Sequence, residues 1–261
     1  MAFLECHFHS DVLGRACEMN VILPQPAATQ IGMAGCGSRH RKYPVLYLLH
    51  GLSDDNTVWC RRSSIERYVA SYELAVVMPD GERGFYTDMK QGPRYWTMLT
   101  EELPEIAADF FPISTARDDS FVAGLSMGGY GALKCALRRP DRYAAAVALS
   151  PVVDIPARTA HADWQGLRPE MERVFGPPEE SAGSGNDLFA LAEKLRGAAD
   201  PPRLMTVCGT EDFLYQENLK FRDRMNALGI DYRFVEAPGA HQWEFWDLHI
   251  QEALRFLMEG R

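Results

Sequence analysis

No apolar run in the 261 residues approaches the length of a membrane span, which needs about 20 consecutive residues. No basic stripe is present either. Lys and Arg number 27 against 36 Asp and Glu, a formal net charge of −9. Nucleic-acid binders neutralise phosphates with clustered cations, so neither nucleic acid nor a membrane surface is expected as a partner. None of Cys6, Cys17, Cys36, Cys60, Cys135 and Cys208 forms a C-x-x-C pair, and each reads as a small core or surface residue. The start, Met-Ala-Phe-Leu-Glu-Cys-His, lacks the basic and then apolar segments of a signal peptide, so a cytoplasmic location with reduced thiols is expected. Internal repeats are absent. His7 and His9 share one face of a strand but have no third ligand nearby in sequence. They read as a solvated edge, and no metal or cofactor is expected.

What is present is an alternation of short apolar runs with helical patterns. Phe3–His9 and Val12–Leu23 alternate loosely and read as an antiparallel hairpin at a sheet edge. Pro24–Lys42 is rich in Pro, Gly, Ala and Ser and reads as a loop. Pro44–His50 and Leu74–Gly81 are continuous apolar runs ending in turns, as in strands buried on both faces. Ser63-Ser64-Ile65-Glu66 has the pattern of a capping box, followed by Ile65, Tyr68, Val69 and Tyr72 at helical spacing. A helix is predicted over Trp96–Phe111, kinked or restarted at Pro104. Strands are predicted at Ser120–Ser126, Tyr143–Pro151, Leu204–Gly209 and Asp231–Glu236. Helices are predicted at Gly128–Arg139, Phe213–Leu228 and Glu244–Met258, with Gly229 closing the second of these. The pattern predicts an α/β fold with a mostly parallel central sheet, helices on both faces, and one domain over 1–261. Val152–Asp200 breaks the alternation. It is a candidate lid or cap, or else a long surface excursion.

In such sheets ligands bind at the carboxyl ends of the strands. His50, Asp80, Ser126, Asp212 and His241 all fall just past predicted strand ends. Gly124-Leu125-Ser126-Met127-Gly128 matches G-x-S-x-G, a nucleophile elbow. A serine on a tight strand-to-helix turn needs glycine two residues to either side, because larger side chains would clash there. A serine hydroxyl is a poor nucleophile without a base and a group that orients the base. Ser126, Asp212 and His241 supply these in the chain order of α/β-hydrolases, 86 and then 29 residues apart. Glu211 is the alternative acid. His161 lies in the irregular stretch and His249 inside the last helix, so both are weaker bases. The developing oxyanion needs backbone donors. Met127 N–H follows the nucleophile, and Leu52 N–H comes from the loop after Pro44–His50. His50 reads as a buried histidine that fixes this loop. Trp59, Tyr86, Phe213 and Trp243 are near the catalytic loops in sequence and are candidates for pocket lining, or for core packing.

His50-Gly51-Leu52-Ser53-Asp54-Asp55-Asn56-Thr57-Val58-Trp59, Val77-Met78-Pro79-Asp80, Tyr86-Thr87-Asp88, Glu102-Leu103-Pro104, Ala123–Gly131 and Cys208–Leu214 resemble the esterase D family of α/β-hydrolases. The bacterial tributyrin esterases are the nearest branch. S-formylglutathione hydrolases, feruloyl esterases and mycolyltransferases are more distant. The resemblance spans Phe3 to Met258 and implies an α/β-hydrolase fold. Its catalytic serine, aspartate and histidine fall on Ser126, Asp212 and His241, and its oxyanion-hole positions on Leu52 and Met127. The expected activity is a serine carboxylesterase acting on small-molecule short-chain acyl esters through an acyl-enzyme. A thioesterase for S-formylglutathione and an acyltransferase are the alternatives. Relatives of this kind are often oligomers, so a homo-oligomer is a further expectation.

Overall fold

A computed structural model of the chain describes residues 1–27, 29, 31, 42–160 and 166–260. Most of the predicted loop Pro24–Lys42, with Cys36, and the candidate base His161 lie outside the described residues.

The strands are β1 (Ala2–Ser10), β2 (Arg15–Leu23), β3 (Val45–Leu49), β4 (Ala75–Pro79), β5 (Ser120–Leu125), β6 (Ala145–Leu149), β7 (Arg203–Gly209) and β8 (Tyr232–Ala237). They form one sheet in the order β1-β2-β4-β3-β5-β6-β7-β8. β3 through β8 run parallel, whereas β2 runs antiparallel to both β1 and β4. The N-terminal hairpin is therefore at the edge, as its looser alternation predicts. The fold is that of an α/β-hydrolase, mostly parallel with helices on both faces.

The helices are α1 (Val58–Arg62), α2 (Ile65–Val69), α3 (Tyr95–Thr97), α4 (Leu103–Phe110), α5 (Met127–Arg138), α6 (Ile155–Ala160), α7 (Arg168–Phe175), α8 (Pro178–Ser181), α9 (Leu188–Leu195), α10 (Tyr215–Leu228) and α11 (Trp243–Leu257). Alternate residues of each central strand feed two cores. Tyr47, Leu49 and Val122 pack with α4, α5, α9 and α10 on one face. Leu46, Leu48 and Phe121 pack with α1, α2 and α11 on the other. The continuous apolar runs of β3, β4, β5 and β6 follow from this double coverage, since every residue in them is buried. Among the described residues, no helix is long and apolar enough to cross a membrane.

Two local expectations are corrected. The helix predicted over Trp96–Phe111 is one continuous path, but α3 and α4 are joined by a π-helical stretch, Met98–Glu102. Pro104, which has no N–H to donate, falls in the first turn of α4, so the expected restart is there and a widened turn, in place of a kink, leads into it. The Ser63–Glu66 capping box does not form. Ser63 Oγ donates to Trp59 O and accepts from Ile65 N–H, while Ser64 N–H goes to Asp247 on α11. A side chain contributed 183 residues later thus outcompetes a local cap. α2 also ends at Val69, short of Tyr72.

The carboxyl ends of the parallel strands come into line. Leu49 pairs with Gly124, Leu125 with Leu149, Leu149 with Val207, and Gly209 with Ala237. The loops after β3, β4, β5, β7 and β8 therefore converge on one edge of the sheet.

Candidate active site

Ser126 stands between β5 and α5 with φ 53 and ψ −114. Its Oγ is carried on a sharp turn, a strained conformation for a non-glycine residue. Neighbouring backbone enforces the turn: Ser126 N–H donates to Leu149 O at 2.9 Å, and Val152 N–H donates to Ser126 O at 3.3 Å. The flanking glycines are steric necessities. A Cβ on Gly124 would sit 2.5 Å from the Gly128 carbonyl, and one on Gly128 would sit 2.4 Å from Leu49 O. The backbones of β3, β5 and α5 meet there with no room for a side chain.

His241 follows β8. Its Nε2 is 3.0 Å from Ser126 Oγ, and its Nδ1 is 2.9 Å from Asp212 Oδ2. Asp212 follows β7 and is buried. Its second oxygen accepts Leu214 N–H at 2.8 Å, so the carboxylate is held at both oxygens. Glu211, the alternative acid, does not face the histidine. Its exposed carboxylate accepts Gly239 N–H and the Thr210 hydroxyl, and these bonds hold it below the usual carboxylate range. It thereby ties the loop that carries Asp212 to the loop that carries His241. Thr210 N–H to Ala237 O at 2.9 Å and Glu211 N–H to Gly239 O at 3.0 Å complete that tie. His241 is clasped by rings, Phe213 at 4.6 Å and Trp246 at 4.8 Å between centroids.

Met127 opens α5, where the first N–H groups of a helix have no intrahelical acceptor. Leu52 lies across the nucleophile on the loop after β3, in a cleft of about 680 Å³. Gly51, Asp54, Arg83, Leu167, Trp243 and Trp246 share that cleft with Ser126 and His241. The loop is braced from below. His50 is 1% exposed. Gly81 N–H donates to its Nε2 at 2.9 Å, which leaves its Nδ1–H to donate to Gly51 O at 2.7 Å. His50 is thus a structural tie between the turns after β3 and β4, as expected. Asp80, also at a strand end, gives its carboxylate to Glu82 N–H at 2.8 Å and takes no place beside His241.

The four aromatic candidates divide. Phe213 and Trp243 border the cleft. Trp59 and Tyr86 do not line it. Trp59 is 1% exposed, and its indole N–H donates to Leu49 O at 3.1 Å. Tyr86 is fully buried, and its hydroxyl donates to His50 O at 3.1 Å. Each supports the wall from behind, because its polar atom is drawn to a backbone carbonyl of the β3 end. Of the weaker histidines, His249 packs on Phe245 in α11, with ring centroids 4.3 Å apart.

Three cleft residues had no usable signal in the sequence. Trp246 falls inside the last predicted helix, where nothing local marks it for a cleft. Leu167 and Arg83 reach the cleft through the long segment after β6 and the loop after β4, neither of which carries a motif.

A strained serine elbow in front of a hydrogen-bonded histidine and aspartate, at the carboxyl edge of such a sheet, defines the serine-hydrolase class within the α/β-hydrolases. Comparison with known proteins agrees. The Esterase family model ("Putative esterase") matches residues 10–257. An acetyl esterase of Caldicellulosiruptor saccharolyticus is 33% identical over 98% of both chains. Two Staphylococcus aureus structures superpose closely. The fluorophosphonate-binding serine hydrolase FphF gives a TM-score of 0.88 at 33% identity, covering 99% of this chain and 98% of that one. The S-formylglutathione hydrolase FrmB gives 0.84 at 34%, covering 99% of both. The chain belongs to the Esterase family, and it is a carboxylic ester hydrolase.

Proposed function

We propose that the chain hydrolyses short-chain acyl esters through an acyl-enzyme on Ser126. The observation that carries this reading is the relay itself, with His241 Nε2 3.0 Å from Ser126 Oγ and Nδ1 2.9 Å from Asp212. His241 Nε2 takes the hydroxyl proton as Oγ bonds to the ester carbonyl carbon. The carbonyl oxygen becomes an oxyanion, facing the N–H groups of Met127 and Leu52. When the tetrahedral intermediate collapses, the carbon–alkoxide bond breaks and Nε2–H protonates the departing alcohol. Water then repeats the sequence against the acyl-enzyme, giving its proton to His241, and Oγ leaves with that proton. Asp212 holds the Nδ1–H tautomer throughout and stabilises the imidazolium. Leu167, Phe213, Trp243 and Trp246 give the cleft an apolar lining beside the serine, which suits an acyl chain, and the acetyl esterase relative supports a short one. A reducing compartment is part of the proposal, supported by the free thiols of Cys6, Cys17, Cys60, Cys135 and Cys208.

The test compares wild type with Ser126→Ala on p-nitrophenyl acetate and butyrate. The variant is expected to lose at least about three orders of magnitude in kcat, and equal rates would overturn the reading. A thioesterase reading has its own support in the likeness to FrmB. Turnover of S-formylglutathione against p-nitrophenyl acetate by the same preparation separates the two.

A further inference from the structure

Arg83, in the loop after β4, makes two contacts of different kinds. Its Nη1 donates to Leu52 O at 3.2 Å. Its Nε and Nη2 form a two-point pair with Glu170 of α7, at 2.5 and 2.6 Å. A planar guanidinium fixes direction as well as charge in such a fork. The Glu170 side chain is 17% exposed and that of Arg83 48%, so the pair is covered on the Glu170 side and open to water on the other, and α7 lies in the segment whose role the sequence left open. That segment is stitched to the same loop elsewhere. Lys90 N–H donates to Val174 O and Gln91 N–H to Arg173 O, both at 2.9 Å. Lys90 Nζ meets Glu180 at 2.6 Å, and Phe175 packs on Phe85 with centroids 5.4 Å apart. Leu167, next to the start of α7, borders the cleft.

We infer that Arg83 is a positioning residue for the oxyanion loop, holding Leu52 by its carbonyl, and that Glu170 makes the α7 segment the anchor for that hold. The inference rests on the reading of Leu52 N–H as an oxyanion donor. Leu52 has a short side chain and a loop backbone. Its N–H lies in one planar peptide group with Gly51 O, which His50 Nδ1–H holds, and Arg83 holds the following peptide group at Leu52 O, so the backbone is pinned on both sides of the Leu52 Cα. A donor of this kind works because its orientation is set before the charge develops. In this arrangement the α7 segment is a fixed wall of the cleft, whose contacts reach the chemistry through one guanidinium.

The experiment measures kcat and KM on p-nitrophenyl acetate, with affinity for a trifluoromethyl ketone, whose carbonyl carbon bonds to Ser126 Oγ as the hydroxyl proton passes to His241 Nε2, leaving the hemiketal oxyanion in the same position. Arg83→Ala is expected to lower kcat about 10- to 100-fold, with KM changed less than about threefold. Affinity for the ketone is expected to fall in proportion to kcat/KM. Glu170→Gln cuts the anchor and leaves the Leu52 contact, so its kcat is expected to fall by less than about threefold. Millimolar methylguanidine is expected to restore part of the rate of Arg83→Ala and none of the rate of Ser126→Ala. Unchanged kcat in a folded Arg83→Ala, or an effect confined to KM, overturns the inference. So does a kcat in Glu170→Gln equal to that of wild type, for the anchoring role of α7. If Ser126→Ala retains activity, the esterase reading itself fails; if Ser126→Ala is inactive while Arg83→Ala is normal, only the role of Arg83 fails.

Discussion

Replacing Asp212 by Asn tests the relay at its most constrained point. Asp212 Oδ1 accepts Leu214 N–H at 2.8 Å and Oδ2 faces His241 Nδ1 at 2.9 Å. An asparagine amide has one oxygen and one NH2 to share between these partners. The oxygen must stay on Leu214 N–H, because the flipped amide would set two donors against each other in a buried site. The NH2 then faces His241 Nδ1, which must give up its proton to accept. The neutral imidazole now carries its hydrogen on Nε2, directed at Ser126 Oγ, and has no lone pair there for the hydroxyl proton. A wrong tautomer in this kind of relay costs about 10⁴ in kcat, or about 5.5 kcal/mol of transition-state stabilisation. The fold should be nearly indifferent, since the Leu214 bond survives and no cavity opens. The assay is steady-state hydrolysis of p-nitrophenyl acetate at neutral pH, with a thermal melt of the same sample. Glu211→Gln is the paired control. Its amide oxygen still accepts Gly239 N–H, and less than about a tenfold loss is expected there. The argument is refuted if folded Asp212→Asn stays within tenfold of wild type, or if Glu211→Gln costs as much.

Other predictions follow from packing and burial. Gly128→Ala places a methyl 2.4 Å from Leu49 O and 2.6 Å from His50 O, both backbone atoms at the end of β3. About 3 kcal/mol of stability by chemical denaturation and about 100-fold in kcat are expected to be lost together. Lys134 is completely buried on α5, its Nζ 2.6 Å from Thr87 Oγ1, 5.0 Å from the Trp96 ring centroid and 4.9 Å from that of Tyr130. Burial pushes its pKa well below the ordinary lysine value. A base with a depressed folded pKa binds fewer protons folded than unfolded, so its contribution to stability rises with pH across that window. Urea denaturation is expected to show wild type gaining on Lys134→Met as pH rises from about 7 towards about 10, and a parallel pair of curves would count against it.

The sheet was legible because burial on both faces writes itself as unbroken apolar runs, and because each run of β3, β4, β5 and β7 ends in small or polar turn residues. The relay was legible for a related reason. Strand ends set where the side chains emerge, so Ser126, Asp212 and His241 needed only chain order to be placed. The sequence placed Glu211 second to Asp212, and the structure separates the two acids: Glu211 is occupied by Gly239 N–H. What could not be read depends on partners far apart in the chain. The failed capping box at Ser63 turns on Asp247, and the burial of Trp59 and Tyr86 turns on which carbonyls lie behind the cleft. The link from Arg83 to Glu170 spans 87 residues without a pattern in either stretch. The π-helical turn before Pro104 satisfies the same constraint as a kink would, and composition does not distinguish the two.

The strand order also dictates when the parts of the site become available during synthesis. β5 is central, and β6, β7 and β8 are added outward from it one by one. The nucleophile is therefore made before its orienting acid, and the acid before the base, which is supplied by residue 241 of 261. A nascent chain that has emerged through Asp212, just past β7, holds the elbow, the Leu52 loop and the acid, and still has nothing to take the proton from Ser126. On the proposed mechanism, hydrolytic capacity is withheld until the last strand has docked, and a chain halted short of His241 is a silent one.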